Sequence, residues 1–259
     1  MTSFNAIPAA EILAERRLTH TKGDRLAETI RPKTLAEGFA VQQQVLEYWC
    51  SKRADKVAGW KCLLPPEGKW VVAPIYGSTV FEATRSANIW PSNGLARIEP
   101  EFAFELGNDI PARSESYSKA EIDQCISEVR MALELIEGRY IDPSLCEFPE
   151  LLADGLFNQG LVVGPVVDRT LAYAAANIDI SMRYGDGEPQ RYEGKHQNQD
   201  AIAPLYWLVN FLRAQGVPLQ HGQFIITGSY AGIIEAPLDT DITMSYCGLG
   251  EMSTRFSAW

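Results

Sequence analysis

The chain has 259 residues, of which 46% are hydrophobic and 22% charged, a composition typical of a globular protein with a substantial core. Its formal net charge of −10 leaves no basic stripe to neutralise phosphates, which argues against a nucleic-acid-binding function. The five cysteines are never spaced C-x-x-C, no signal peptide is evident, and no apolar run could span a bilayer, so we expect reduced thiols, no membrane association and a cytoplasmic location.

Residues 1–56 are predicted to form an N-terminal helical region. Apolar residues within 9–13 indicate a first amphipathic helix. Thr34 and Glu37 form a capping box that predicts the start of a second helix. Five residues of this second helix recur at helical spacing and so share one face, namely Leu35, Phe39, Gln42, Leu46 and Trp49. This face is expected to pack on the rest of the chain or on another subunit.

From residue 57 onward the pattern changes to β-structure, and residues 57–259 are predicted to form the main domain. Val57–Leu64 is predicted to be a strand that carries one lysine, Lys61, among apolar neighbours. A lysine in a strand commonly extends its side chain to the surface, and that is the expectation from the residues alone.

A strand with two glutamates on one face is predicted at residues 97–107. Successive side chains of a strand point to opposite faces, so Glu99 and Glu101 share a face. Two neighbouring carboxylates in an apolar strand need compensation by a divalent cation such as Mg²⁺ or Ca²⁺, unless both face solvent. Pro100 cannot donate a hydrogen bond to a neighbouring strand and therefore predicts a strand edge or a bulge.

A third glutamate, Glu134, lies within the apolar segment of residues 131–137. Hydrophobic neighbours on both sides indicate a strand that is buried on both faces, where an unpaired carboxylate would be costly. Glu99, Glu101 and Glu134 together would form a facial triad of ligands, which leaves the remaining positions around a cation for water or substrate.

The remaining elements favour an α+β fold over a doubly wound sheet, because most strands do not alternate with helices. A capping box at Ser118 and Glu121 predicts a helix that extends through Val129. Residues 145–158 are predicted to be rich in loops. Further strands are predicted at 161–167, 178–184, 190–192, 224–227, 241–246 and 251–256, with a helix at about 200–215.

The order of these motifs resembles the fumarylacetoacetate hydrolase superfamily, and more closely its hydratase and decarboxylase branch. The matching segments cover nearly the whole chain: Gly59-Trp60-Lys61, Ala73–Gly77, Ile98–Glu101, Leu106-Gly107, Ala132–Glu134, Arg139, Ala153-Asp154, Val162–Gly164, Thr227–Ser229 and Gly248–Gly250. The resemblance implies a mixed β-roll or sandwich of the type of that superfamily's C-terminal domain, preceded by a helical region.

The resemblance also implies roles for individual residues. The three glutamates would hold Mg²⁺ or Mn²⁺. Lys61 would lie in the active-site pocket, where its ammonium binds a substrate oxygen or, if burial lowers its pKa, moves a proton. Ser229, in the turn after residues 224–227, would help to bind the substrate carboxylate through its hydroxyl and the backbone N–H groups of the turn.

Two segments depart from the family's pattern. Many members carry an acidic residue a few positions after the Tyr-Gly pair, with a role in proton transfer, whereas this chain has Ser-Thr-Val-Phe at 78–81. Glu82 is therefore the nearest candidate for a catalytic carboxylate. The family's A-D-N-x-S pattern reads Ala-Asp-Gly-Leu-Phe-Asn at 153–158, so Asp154 is either a substrate-binding residue or a structural loop residue.

The function implied is a metal-dependent hydratase, a lyase that adds water to a 2-hydroxydienoate or 2-oxo-enoate acid in aromatic-compound catabolism to give a 4-hydroxy-2-oxo acid. One alternative is a decarboxylase of a 2-oxo diacid such as 4-oxalocrotonate. Another is a non-catalytic partner subunit that retains the fold, which the two altered segments suggest. Members of the family assemble as homo-oligomers, so a homo-oligomer that binds a small acid is expected.

Overall fold

Residues 4–259, which the computed structural model describes, form six α-helices and thirteen β-strands. The helices are α1 (Ile7–Thr19), α2 (Leu35–Arg53), α3 (Lys119–Cys125), α4 (Phe148–Ala153), α5 (Arg169–Ala174) and α6 (Ala203–Ala214). The strands are β1 (Val57–Cys62), β2 (Val72–Tyr76), β3 (Val80–Glu82), β4 (Ser86–Ile89), β5 (Leu95–Leu106), β6 (Ile126–Ile136), β7 (Asn158–Val167), β8 (Asn177–Tyr184), β9 (Gln190–Lys195), β10 (Phe224–Ile226), β11 (Ile234–Pro237), β12 (Asp241–Tyr246) and β13 (Gly250–Ala258). Among these residues, no helix has the length and apolar character needed to cross a membrane.

The larger sheet curls into a roll, as the family resemblance implied. Its strand order is β2-β1-β10-β5-β6-β7-β3, with β11 also paired to β5. β2 and β3 lie at opposite ends of this order, yet only the 3₁₀ turn Gly77–Thr79 separates them in sequence. Seven strands laid flat would be about 29 Å wide, whereas three connecting residues span at most about 15 Å. The two ends of the sheet must therefore approach each other.

Alternation of side chains along the strands gives the roll an inside and an outside. Inside lies a small apolar cluster formed by Ile75, Ala103, Ala132, Leu161, Val163 and Ile226. The main core covers the outside, where the second sheet, β4-β13-β12-β8-β9, packs. There the ring of Phe102 meets that of Tyr246 edge-on, with 5.6 Å between centroids. Glu101 alternates with Phe102, and Glu134 lies two residues after Ala132, so both carboxylates point into the roll.

The N-terminal helices pack on a separate apolar cluster that includes Tyr140 and Ala153. α2 begins with the predicted capping box of Thr34 and Glu37. The predicted helix through Val129 was wrong in its second half, because α3 ends at Cys125 and β6 begins at the next residue. Pairing of β6 with both β5 and β7 overrides the local helical spacing there. The stretch predicted to be rich in loops also contains the short helix α4.

A glycine on β7 allows the roll to close, and its replacement tests this architecture. A Cβ at Gly160 would lie 2.5 Å from the carbonyl oxygen of Thr79, in the turn that joins β2 to β3. Gly160→Ala is expected to lower the free energy of unfolding by about 1–3 kcal/mol, since backbone must shift to admit the methyl group. Urea denaturation measures the loss. Gly187→Ala is the control, because its Cβ would have only the Tyr184 carbonyl nearby, at 3.1 Å. Equal stability of both variants would contradict this account.

Candidate metal centre

Three glutamate side chains meet inside the roll. β5 and β6 are antiparallel, and Glu99 lies directly opposite Glu134. Glu101 is two residues further along β5 and therefore shares the face of Glu99. One carboxylate oxygen from each of the three residues lies within 4.8 Å of the others. Glu101 and Glu134 are almost completely buried, whereas Glu99 is partly exposed. Cross-strand pairing thus brings together the three residues that the sequence singled out.

Pro100 lies where the partner strand of β5 changes. On one side of β5, β11 pairs with residues up to Ile98 and β10 pairs with residues from Ala103 onward. The carbonyl of Pro100 accepts a hydrogen bond from the Tyr230 N–H, in the loop between β10 and β11. The proline nitrogen faces the same side as this carbonyl, so no ladder hydrogen bond is lost. The predicted sheet edge or bulge is not found, because β5 is an interior strand that pairs with β6 through Pro100 without a register shift. Pro100 instead occupies the gap between β11 and β10, between two of the glutamates.

Lys61 directs its ammonium into this cluster. Its Nζ lies 2.7 Å from Glu134 Oε1 and donates to the carbonyl of Leu156 at 3.1 Å. Burial disfavours the charged lysine, but the carboxylates of Glu134 and Glu99 outweigh this effect and raise its pKa. With the three carboxylates beside it, the pKa of Lys61 is raised rather than lowered, which favours the ammonium at neutral pH. Its role with a substrate oxygen or a proton stays a prediction. Its side chain does not extend to the surface.

The donor set suits a hard divalent cation. Burial, followed by repulsion from Glu134, raises the pKa of Glu99 to about 7 and that of Glu101 well above the usual range. Three carboxylates share one neighbouring ammonium, so the fully ionised cluster carries excess negative charge. Mg²⁺, Mn²⁺ and Ca²⁺ prefer carboxylate oxygens, and such an ion would balance that charge. The residues present therefore fit a divalent cation.

The raised carboxyl pKa values predict a pH-dependent stability. Between pH 4.5 and about 7 the folded protein retains a proton on Glu99 that the unfolded chain has released, so stability falls as pH rises. A rise from 4.5 to about 7 corresponds to about 3 kcal/mol at most. In EDTA, the free energy of unfolding is expected to decrease from pH 5 to pH 8, with a smaller decrease in Mg²⁺ or in Glu99→Gln. Urea titrations at each pH measure the free energy of unfolding. If this free energy rose with pH in the wild type and not in Glu99→Gln, the result would contradict the assigned pKa.

The turn after β10 supports the cluster through its backbone. The N–H of Gly228 donates to Glu101 Oε2 at 2.7 Å. Gly228 has φ of 118°, and a Cβ there would lie 2.6 Å from Leu63 Cδ1, so the turn requires glycine. Ser229 is buried in the same turn, but its hydroxyl donates to the carbonyl of Gly232 at 3.2 Å. Its predicted role with the substrate carboxylate stays a prediction.

Asp154 and Glu82 are not brought to the three glutamates. Asp154 binds Arg139 twice, at 2.7 Å to Nε and 2.9 Å to the backbone N–H, and both residues are buried. This geometry favours the structural alternative for Asp154. Glu82 is exposed on β3 and lines a surface groove with Asp241 and Arg255 of the second sheet. Glu82, the carboxylate nearest in sequence to the Tyr-Gly pair, therefore lies outside the cluster of three glutamates.

Asn158 contacts the cluster although the sequence did not single it out. It is completely buried, and its Nδ2 donates to Glu134 Oε1 at 2.8 Å. The three residues before it, Gly155, Leu156 and Phe157, all have left-handed backbone, with φ of 81°, 50° and 67°. This conformation costs a non-glycine residue about 1–2 kcal/mol. Only the pairing of β7 with β6 places Asn158 beside Glu134, so no local sequence signal could reveal the contact.

Comparison with curated proteins identifies hydratases as relatives. The chain is 23% identical over 161 residues to 2-keto-4-pentenoate hydratase 2 of Dechloromonas aromatica (strain RCB), a match that covers 62% of this chain and 60% of the relative. It is 28% identical over 170 residues to 2-oxo-hept-4-ene-1,7-dioate hydratase of Escherichia coli, with 62% of each chain covered. The match thus spans about three fifths of the length of these relatives. No family model matches the chain.

Solved structures share the fold over between 73% and 99% of this chain. 4-Oxalocrotonate decarboxylase from Pseudomonas putida G7, complexed with magnesium and adipate, superposes with a TM-score of 0.78 at 17% sequence identity and covers 99% of both chains. Fumarylpyruvate hydrolase from Pseudomonas aeruginosa, complexed with Mn²⁺ and pyruvate, gives a TM-score of 0.50 at 18% identity, with 73% of this chain covered. The predicted resemblance is therefore confirmed as a similarity in sequence to hydratases and as an α+β fold shared with these solved structures.

Proposed function

We propose that the chain is a hydratase, a hydro-lyase dependent on a divalent cation, that acts on a short 2-oxo-enoate or 2-hydroxydienoate acid. The observation that carries the proposal is the cluster of Glu99, Glu101 and Glu134 with the ammonium of Lys61 beside it. Similarity to relatives named as hydratases supports the reaction class. Neighbouring structures complexed with magnesium and Mn²⁺ support a cation of this kind.

Each residue of the cluster has a chemical task in this proposal. The three glutamates bind Mg²⁺ or Mn²⁺, which when bound acts as a Lewis acid toward an α-oxo acid. Lys61 uses two hydrogen bonds on Glu134 and Leu156, so one N–H remains for a substrate oxygen. Its fixed positive charge stabilises negative charge that develops on that oxygen. Water then adds to the alkene and gives the 4-hydroxy-2-oxo acid.

The second candidate is decarboxylation of a 2-oxo diacid. The specific observation in its favour is the superposition on 4-oxalocrotonate decarboxylase, which has a TM-score of 0.78 and covers 99% of both chains. Both reactions stabilise negative charge next to a 2-oxo acid, so the same cluster serves either one. The two candidates differ in product, because only decarboxylation releases CO₂.

A product assay separates these proposals. The protein is incubated with 2-hydroxypenta-2,4-dienoate or with 4-oxalocrotonate, each in Mg²⁺ and in EDTA, and followed by ¹H NMR and CO₂ detection. Formation of 4-hydroxy-2-oxopentanoate in Mg²⁺ alone is expected for the hydratase. Release of CO₂ from 4-oxalocrotonate would instead assign a decarboxylase. No turnover together with no Mn²⁺ binding at millimolar concentration would identify a non-catalytic member.

We further propose that the protein is a homo-oligomer. α1 exposes Ile7 and Ile12, which are 51% and 39% accessible, and such apolar side chains suit a contact between copies. Light scattering after gel filtration tests this proposal, and a monomer at micromolar concentration would contradict it.

A further inference from the structure

We infer that Asn158 is a positioning residue that fixes which oxygen of Glu134 faces the cation. This inference rests on the proposed function, because it concerns the same cluster. The two acceptors around Asn158 Nδ2 are Glu134 Oε1 at 2.8 Å and the Gly160 carbonyl at 3.3 Å. The reverse orientation of the amide would place its oxygen against both acceptors, so the amide direction is determined.

The hydrogen bonds to Glu134 make the two oxygens of its carboxylate inequivalent. Oε1 receives the amide of Asn158 and the ammonium of Lys61, at 2.8 and 2.7 Å. A carboxylate oxygen has two lone pairs, and both are then occupied. Oε2 is left to ligate a cation, which makes Glu134 a ligand through one oxygen. Without the amide, Oε1 would retain only the bond to Lys61, and one hydrogen bond instead of two would set the orientation of the carboxylate.

The loop that holds Asn158, residues 154–158, is itself tightly bound. The backbone carbonyl of Asn158 accepts from Arg139 at 2.9 Å and from Arg17 at 3.1 Å. Asp154 at the start of the loop holds Arg139 in turn. The carbonyl of Leu156, in the middle of the loop, accepts from Lys61. The segment that departs from the family's pattern thus supplies two of the contacts that orient Lys61 and Glu134.

The test is the affinity of the full-length protein for Mn²⁺, measured by electron paramagnetic resonance. Groups that orient metal ligands typically account for about 10- to 100-fold in affinity. Asn158→Ala is expected to weaken Mn²⁺ binding by about 10-fold or more, with circular dichroism confirming that the variant is folded. Asn158→Ser retains a hydroxyl donor and is expected to lose less. If Asn158→Ala does not fold, the Mn²⁺ affinity of Asn158→Ser tests the inference by itself. If Asn158 had only a structural role, that variant would bind Mn²⁺ with the wild-type affinity.

Gln159→Ala is the matched control. Gln159 carries the same amide, but it points to the opposite face of β7 and bonds both backbone groups of Trp90. Its replacement is expected to leave Mn²⁺ affinity unchanged. If the Asn158 variants bind Mn²⁺ as tightly as the wild type while Glu134→Gln weakens binding by about 100-fold, the inference about Asn158 is overturned and the metal site stands. Wild-type affinity in Glu134→Gln would overturn the metal site itself, and with it the proposed function.

Discussion

Glu134→Gln is expected to weaken Mn²⁺ binding by about 100-fold or more, because a ligand contributes at least as much as the groups that orient it. Glu134 is 1% exposed and lies opposite Glu99 across two paired strands. Glutamine keeps the size of the side chain but offers a neutral oxygen. Turnover in saturating Mg²⁺ is expected to fall by about 10³-fold, since a Lewis acid contributes several kcal/mol.

The control for this prediction is Glu128→Gln on the same strand. Glu128 alternates onto the same face of β6 but lies at the surface, where it binds Arg130. Its replacement is expected to change neither Mn²⁺ affinity nor turnover. If Glu134→Gln were as active as the wild type at saturating Mg²⁺, the assignment of the three glutamates as metal ligands would be wrong.

Lys61→Met is expected to lower turnover by about 10²- to 10³-fold, because a fixed donor for a developing oxyanion contributes that much in a buried site. Mn²⁺ affinity is expected to be unchanged or tighter, since the variant removes a positive charge beside three carboxylates. Turnover is therefore expected to fall without any loss of Mn²⁺ affinity. In EDTA, removal of one partner of this buried ion pair is expected to reduce stability by about 3–5 kcal/mol, and Mg²⁺ is expected to restore part of it.

Lys56→Met, the same change at an exposed lysine just before β1, is the control and is expected to have no effect. Lys61→Arg tests the shape of the donor, because a guanidinium is planar and larger than an ammonium and is not expected to restore full turnover. If Lys61→Met lost Mn²⁺ affinity in proportion to turnover, Lys61 would serve only to hold Glu134.

Much of the local structure could be predicted because it depends on neighbours in sequence. The capping box of Thr34 and Glu37 starts α2, and the alternation around Glu99 and Glu101 places both on one face of β5. The helix expected through Val129 shows the limit of such patterns. Residues 126–136 form a strand because β5 and β7 pair with them on both sides, and local spacing contains no information about those partners.

The composition of this chain predicted a globular protein with an excess of acidic residues, and the alternation along one strand placed Glu99 and Glu101 on the same face. The family resemblance added the expectation that Lys61 joins the glutamates. Tertiary structure decided which other groups reach that cluster. Asn158 and the N–H of Gly228 reach the cluster through strand pairing and a turn, whereas the side chain of Glu82 is exposed at the end of β3. The physical reason is that side-chain chemistry and local periodicity are properties of the sequence, whereas proximity across a curled sheet depends on all of its strand pairings together.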